Sequence, residues 1–161
     1  MKAVVIGVGN PFRGDDGAGL AVLERLEGRV PGGVELVACE HEPSGMMDAW
    51  HGAEAVLIVD AVSSGAAPGA LHRFDASAEP LPAHAFRAST HAFAVDETIE
   101  LARALDRLPR RVLVYGVEGG DFEAGEELTP AVEAAVERTA AAVLSDLANL
   151  AKEERPCTSA P

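Results

Sequence analysis

Ala55-Val56-Leu57-Ile58-Val59-Asp60 is an unbroken apolar run closed by an acid. A strand with one wet face alternates apolar with polar residues. A run without a break belongs to a strand buried on both faces, and such strands are usually parallel and covered by helices on each side. Upstream, residues 2–8 form a second β-rich run, stopped by Gly7-Val8-Gly9-Asn10-Pro11. Asp15 or Asp16 can cap a helix over 17–28, with Leu20, Leu23 and Leu26 near one face. Residues 34–39 read as another strand, and 44–51 as a short helix carrying Met46, Met47 and Trp50.

Downstream, the Gly/Ser/Ala/Pro stretch 63–69 leads to a shorter edge strand over 70–75. Residues 76–90, with Pro80 and Pro82, read as a long loop. Ser89-Thr90 then caps a helix over 91–107, with a buried stripe at Val95, Ile99, Ala102 and Leu105. Residues 111–117 are the last strand. Thr129-Pro130 opens the final helix, since threonine caps and proline suits the first turn; Val132, Val136, Val143, Leu147 and Leu150 mark its inner face. Strands alternating with helices predict an α/β fold, a single-domain three-layer α/β/α sandwich around a mostly parallel twisted sheet. Residues 1–150 form the domain, and 151–161 are expected to be a flexible tail.

Composition narrows the function. At 161 residues, 48% hydrophobic and 24% charged, the chain has the make-up of one soluble domain. The apolar runs are too short to span a bilayer, and the first residues lack the apolar length and cleavage site of a signal peptide. The two cysteines, Cys39 and Cys157, lack CxxC spacing and an evident partner, which argues against a disulfide framework and for a reducing, cytoplasmic location. A net charge of −13 repels phosphate backbones and anionic lipid, so nucleic acid and membrane are disfavoured, while a basic protein partner would suit it.

In a parallel sheet the ligand crevice lies at the carboxyl ends of the strands, here residues 10–16, 40–42, Asp60 and Glu118. The loop Gly7-Val8-Gly9-Asn10-Pro11-Phe12-Arg13-Gly14-Asp15-Asp16-Gly17 fails as a dinucleotide fingerprint, because Phe12 stands where the third glycine belongs. Its two acids would oppose a pyrophosphate, so the loop presents carboxylate. Asp15 can serve as a helix cap; Asp16 cannot serve the same cap simultaneously and is the better candidate for chemistry. Asp60 ends the most apolar strand at the crevice mouth, where a carboxylate needs a cation or several donors. His91 is expected at a helix amino terminus, whose dipole favours the neutral, metal-binding imidazole. Two carboxylates and one histidine make an open oxygen/nitrogen set that admits nickel, zinc, manganese or iron. His51, His72 and His84 have no evident partners, Cys39 reads as a small buried apolar residue, and the serines lack a GxSxG elbow.

Five segments, in order and spacing, resemble the hydrogenase maturation endopeptidases: GVGNPFRGDDGAG at 7–19, LIVDAV at 57–62, STHAF at 89–93, VYGVEG at 114–119 and GEELTPAVEAAV at 125–136. The resemblance spans about residues 2–150. It implies a helix-covered, mostly parallel sheet and one cut that removes a short carboxyl-terminal extension from the precursor of the nickel–iron hydrogenase large subunit after nickel insertion. By position, the family's metal-binding and catalytic residues fall on Asp16, Asp60 and His91, with nickel delivered in the substrate and other divalent metals able to occupy the site. Some relatives carry glutamate where this chain has Asp16. A monomer is expected. Two other readings stand beside this one: a metal-dependent amidohydrolase acting on small substrates through the same residues, and a non-enzymatic nucleotide- or flavin-binding module.

Overall fold

The computed structural model describes residues 1–40, 42–82 and 95–155. Five strands form one sheet: β1 (Ala3–Val8), β2 (Val34–Cys39), β3 (Ala55–Val62), β4 (Leu71–Asp75) and β5 (Arg111–Glu118), in the order β2-β1-β3-β5-β4. All neighbours are parallel except β4, which runs antiparallel along β5 at the edge. β1 and β3 are buried at every position, as their lack of alternation requires.

Helices α1 (Ala18–Leu26) and α4 (Pro130–Glu153) cover one face, and α2 (Pro43–Ala49) and α3 (Val95–Ala104) the other. The strand period of two divides the core accordingly. Leu57, Val59, Tyr115 and Val117 pack with Val22, Leu26, Val136 and Leu147 on the first face. Val56, Ile58, Val112 and Val114 pack with Met46, Trp50, Val95 and Ile99 on the second. The α/β/α sandwich read from the sequence is therefore the observed fold.

Local departures have physical causes. The first helix begins later than expected, because residues Gly14–Gly17 form a 3-10 turn ahead of it. Leu105 was expected in the buried stripe of α3, but the helix ends at Ala104, Asp106 turns the chain with φ 56°, and Leu105 is exposed. The expected start of that helix, His91 included, lies outside the described residues, as do His41, His84 and Cys157.

α1 lies unusually close to the sheet. A Cβ on Gly7 of β1 would come within 2.6 Å of the Gly19 carbonyl oxygen and Leu23 Cγ. One on Gly19 would come 2.6 Å from the Val8 carbonyl oxygen and would also collide with that of Val59. Glycine inside a helix costs about 1 kcal/mol relative to alanine. Here that cost lets the helix backbone rest directly on the ends of β1 and β3.

α4 is fastened to the edge of the sheet by Asp146. It accepts two bonds from Arg73 on β4, both 2.8 Å, and one from the Tyr115 hydroxyl on β5. Burial opposes the charge on Asp146, but the Arg73 and Tyr115 bonds outweigh it and hold the carboxyl below the usual range. Burial, reinforced by Asp146, pushes the Tyr115 hydroxyl well up, so it remains a donor at any ordinary pH. A carboxyl with a depressed folded-state pKa stabilises the fold above its unfolded pKa, and this is lost as pH falls through the folded value. Asp146→Asn should therefore cost about 1–3 kcal/mol at pH 7, measured by urea unfolding, with the deficit shrinking below about pH 4.

Candidate active site

The order of the strands puts a topological switch between β1 and β3, since the chain leaves β1 toward β2 on one side and returns to β3 on the other. In open α/β sheets the crevice forms at such a point, beyond the carboxyl ends of the strands. The loop after β1 and the end of β3 are the two elements that meet there.

Asp16 sits in the 3-10 turn and is 5% exposed. Its Oδ2 accepts the Asn10 N–H at 2.9 Å, and its own N–H bonds the Arg13 carbonyl at 3.1 Å. A Cβ on Gly9 would overlap the Asp16 carbonyl oxygen, and Gly9 has φ 147°, so a side chain is excluded there by space and by conformation. Asp60 lies in β3 and is 2% exposed. Gly7 pairs with Val59, which brings Asp60 level with Val8, beside the Gly9 on which Asp16 packs. Asp16 and Asp60 thus occupy the same end of adjacent strands. His91, the third residue of the predicted set, lies outside the described residues.

Asp15 does something the sequence did not reveal. It was read as a possible helix cap, but it caps neither the 3-10 turn nor α1. Its fully buried carboxylate instead accepts the backbone N–H groups of Gly120 (2.8 Å), Asp121 (3.0 Å) and Thr129 (2.7 Å). The Thr129 hydroxyl adds a fourth donor at 2.9 Å. For the same reason Thr129 makes no side-chain cap to α4: its hydroxyl is turned to Asp15. Backbone bonds reinforce the tie, from Asp15 N to the Asp121 carbonyl and from Gly14 N to the Gly125 carbonyl, each 2.8 Å. The two adjacent acids therefore divide their work. Asp15 binds the loop to the segment after β5, and Asp16 is left at the crevice.

Glu118, at the end of β5, is 1% exposed and accepts bonds from Ser64 N (2.7 Å), Ser64 Oγ (2.9 Å) and His72 Nε2 (3.1 Å). His72 was expected to be a surface residue without a partner; its place on β4, paired with Gly116 of β5, brings it to this acid. Asp60, Gly116 and His72 lie in one row across the sheet. The Val62 methyls stand over Gly116, with Cγ1 3.0 Å from where its Cβ would be. Glu118 thus buttresses the loop that follows β3. Cys39 is half-buried, and burial, then Glu42, pushes its thiol up, so little thiolate is available for nucleophilic attack.

The family model described as HycI, hydrogenase maturation protease, matches residues 21–146, most of the chain. The chain belongs to the hydrogenase maturation protease family. It is 30% identical to the hydrogenase expression/formation protein HupM of Azotobacter chroococcum, over 90% of this chain and 71% of that one. It spans 66% to 71% of the length of this relative and two others of the same description. Among solved structures, the hydrogenase maturating endopeptidase HybD of Escherichia coli superposes with a TM-score of 0.79 at 26% identity, covering 92% of this chain and 93% of that one. The [NiFe] hydrogenase maturation protease HycI of Thermococcus kodakarensis gives 0.70 at 26% identity, covering 91% and 92%. The peptidase class and the α/β fold expected from the sequence hold for this member of the hydrogenase maturation proteases.

The Asp15 tie has a measurable consequence. Asp15→Ala removes the buried acceptor of four hydrogen bonds and should cost about 1–3 kcal/mol in chemical denaturation. Hydrogen exchange at Gly120, Asp121 and Thr129 should accelerate, whereas amides of β1 and β3 should be slowed or quickened only in proportion to global stability.

Proposed function

We propose that the protein is a cytoplasmic, monomeric endopeptidase that removes the carboxyl-terminal extension of a nickel–iron hydrogenase large-subunit precursor once nickel has been inserted. The observation that carries this reading is the pair of nearly buried carboxylates, Asp16 and Asp60, at the switch point between β1 and β3. Carboxylate oxygens are ligands that a divalent metal accepts, and a metal-bearing substrate docking at this end of the sheet would meet both. Family membership supports the peptidase chemistry. A [NiFe] hydrogenase maturation protease among the similar structures supports the choice of metal. Among the described residues no helix is long and apolar enough to cross a membrane, which is compatible with the proposed location.

Nickel belongs to the substrate in this scheme and contributes Lewis acidity to the scissile carbonyl when the precursor docks. Asp16, Asp60 and His91 complete its shell from the enzyme side. The Asn10 N–H holds one Asp16 oxygen in a fixed direction, so the carboxylate reaches the bound precursor already oriented. Asp16 is also the group best placed to accept a proton from the attacking water, the alternative to activation by the metal alone. Loop bracing by Asp15 makes this orientation a property of the free enzyme.

Processing of the cognate precursor, with and without nickel, tests the proposal. Wild type should cleave only the nickel-loaded form, and Asp16→Asn and His91→Gln should each be slower by roughly a hundredfold or more. Wild-type rates in both variants would overturn the site assignment, and cleavage of simple amides without any precursor would support the amidohydrolase reading instead. The enzyme alone should hold divalent metal weakly, because three ligands leave the shell open. Zinc retained stoichiometrically through chelation would contradict a substrate-borne metal.

A further inference from the structure

A groove of about 440 Å³ lies against the loop that carries Asp16. Pro11, Gly14 and Gly17 of that loop line it. Its floor is apolar, from Pro11, Leu20 and Leu128, and its sides are acidic, from Glu24, Glu126, Glu127 and Glu133. Arg25 meets Glu133 at 3.1 Å, but no cation among the described residues pairs with Glu24, Glu126 or Glu127. Phe12, next to Pro11 in the chain, is 63% exposed. Its backbone is held in place, with its N–H bonded to the Asn10 side chain and its carbonyl to the Gly125 N–H, both at 2.9 Å.

We infer that this groove docks a segment of the substrate precursor that carries lysine or arginine beside an apolar residue. The inference rests on the endopeptidase reading and adds to it a surface and a partner chemistry. An apolar floor between unpaired carboxylates selects a segment whose aliphatic side chains fill the floor while its cations meet the walls. The acidity of the whole chain, net −13, steers such a segment toward it and repels a second copy of the enzyme. This groove adjoins the loop of the candidate site. Another, of about 370 Å³, lies at the opposite end of the sheet around Met1, Glu54 and Arg111. The exposed Phe12, adjacent in the chain to the lining residue Pro11, adds an aromatic side chain on a fixed backbone, and aromatic residues are enriched at protein interfaces.

The test is steady-state cleavage of nickel-loaded precursor by wild type and by Glu24→Gln/Glu126→Gln/Glu127→Gln, at low and physiological salt. All three acids are exposed and outside the candidate catalytic set, so the variant should fold with an unchanged Tm. Its KM should rise roughly tenfold at low salt with kcat unchanged, and the increase of KM with salt expected for wild type should largely vanish. Phe12→Ala should raise KM independently of salt. Unchanged KM and salt dependence in the triple variant would overturn the inference, as would a fall in kcat at constant KM. If wild type cleaves no precursor at all, the endopeptidase reading fails and the groove assignment with it; if only the variants behave as wild type, the groove assignment alone fails.

Discussion

The contact between Gly7 and Gly19 sets the position of nearly everything at the carboxyl end of the sheet. Each glycine removes a side chain exactly where a strand and a helix backbone meet, and the helix also rests on the Val8 and Val59 carbonyls. With a methyl group at either place, α1 would ride farther from the sheet and the 3-10 turn ahead of it would move too. That turn holds both loop acids. The distance between the Asp16 loop and the end of β3 is thus decided by backbone packing, before any polar interaction is made.

On this base the polar groups are arranged by what each element can offer. The loop after β1 supplies the buried Asp15 carboxylate, and the segment after β5 supplies the backbone N–H groups that it accepts. Glu118 does the same for the loop after β3. Both acids are buried and both bind loop backbone, so the rim of the crevice is held by charge-assisted bonds on two sides. Asp16 and Asp60 lie between these supports. A site that must accept a folded protein partner gains from such bracing, since little ordering remains to be done when the partner arrives.

Much of the fold could be read from residue patterns alone. The apolar runs of β1, β3 and β5, the proline-led start of α4 and the edge position of β4 all follow from local signals, and the order of elements implies the layers. The errors share a cause. Asp15 and Thr129 each looked like a helix cap by local rules, yet they found each other across the chain, and the longer-range bond displaced both caps. His72 looked unpartnered because its acid lies 46 residues away and reaches it only through the antiparallel turn of β4. Leu105 fitted the helical period but lies just past the residue where the helix stops. For the candidate site, Asp16 was preferred to Asp15 from the sequence; what holds Asp15 was not legible, because its donors are distant in sequence, and β3 runs on past Asp60 to Val62.

The separation in sequence across the Asp15 tie has a bearing on how the protein is made. Its partners Gly120, Asp121 and Thr129 stand 105 to 114 residues further along the chain. As the polypeptide leaves the ribosome, β1, α1, β2 and β3 can assemble early, but the loop bearing Asp16 cannot close against the segment after β5 until that segment has emerged. A nascent chain would hold its early core strands before it held a braced Asp16 loop. Synthesis itself would then delay the appearance of a competent protease until the segment after β5 has been made.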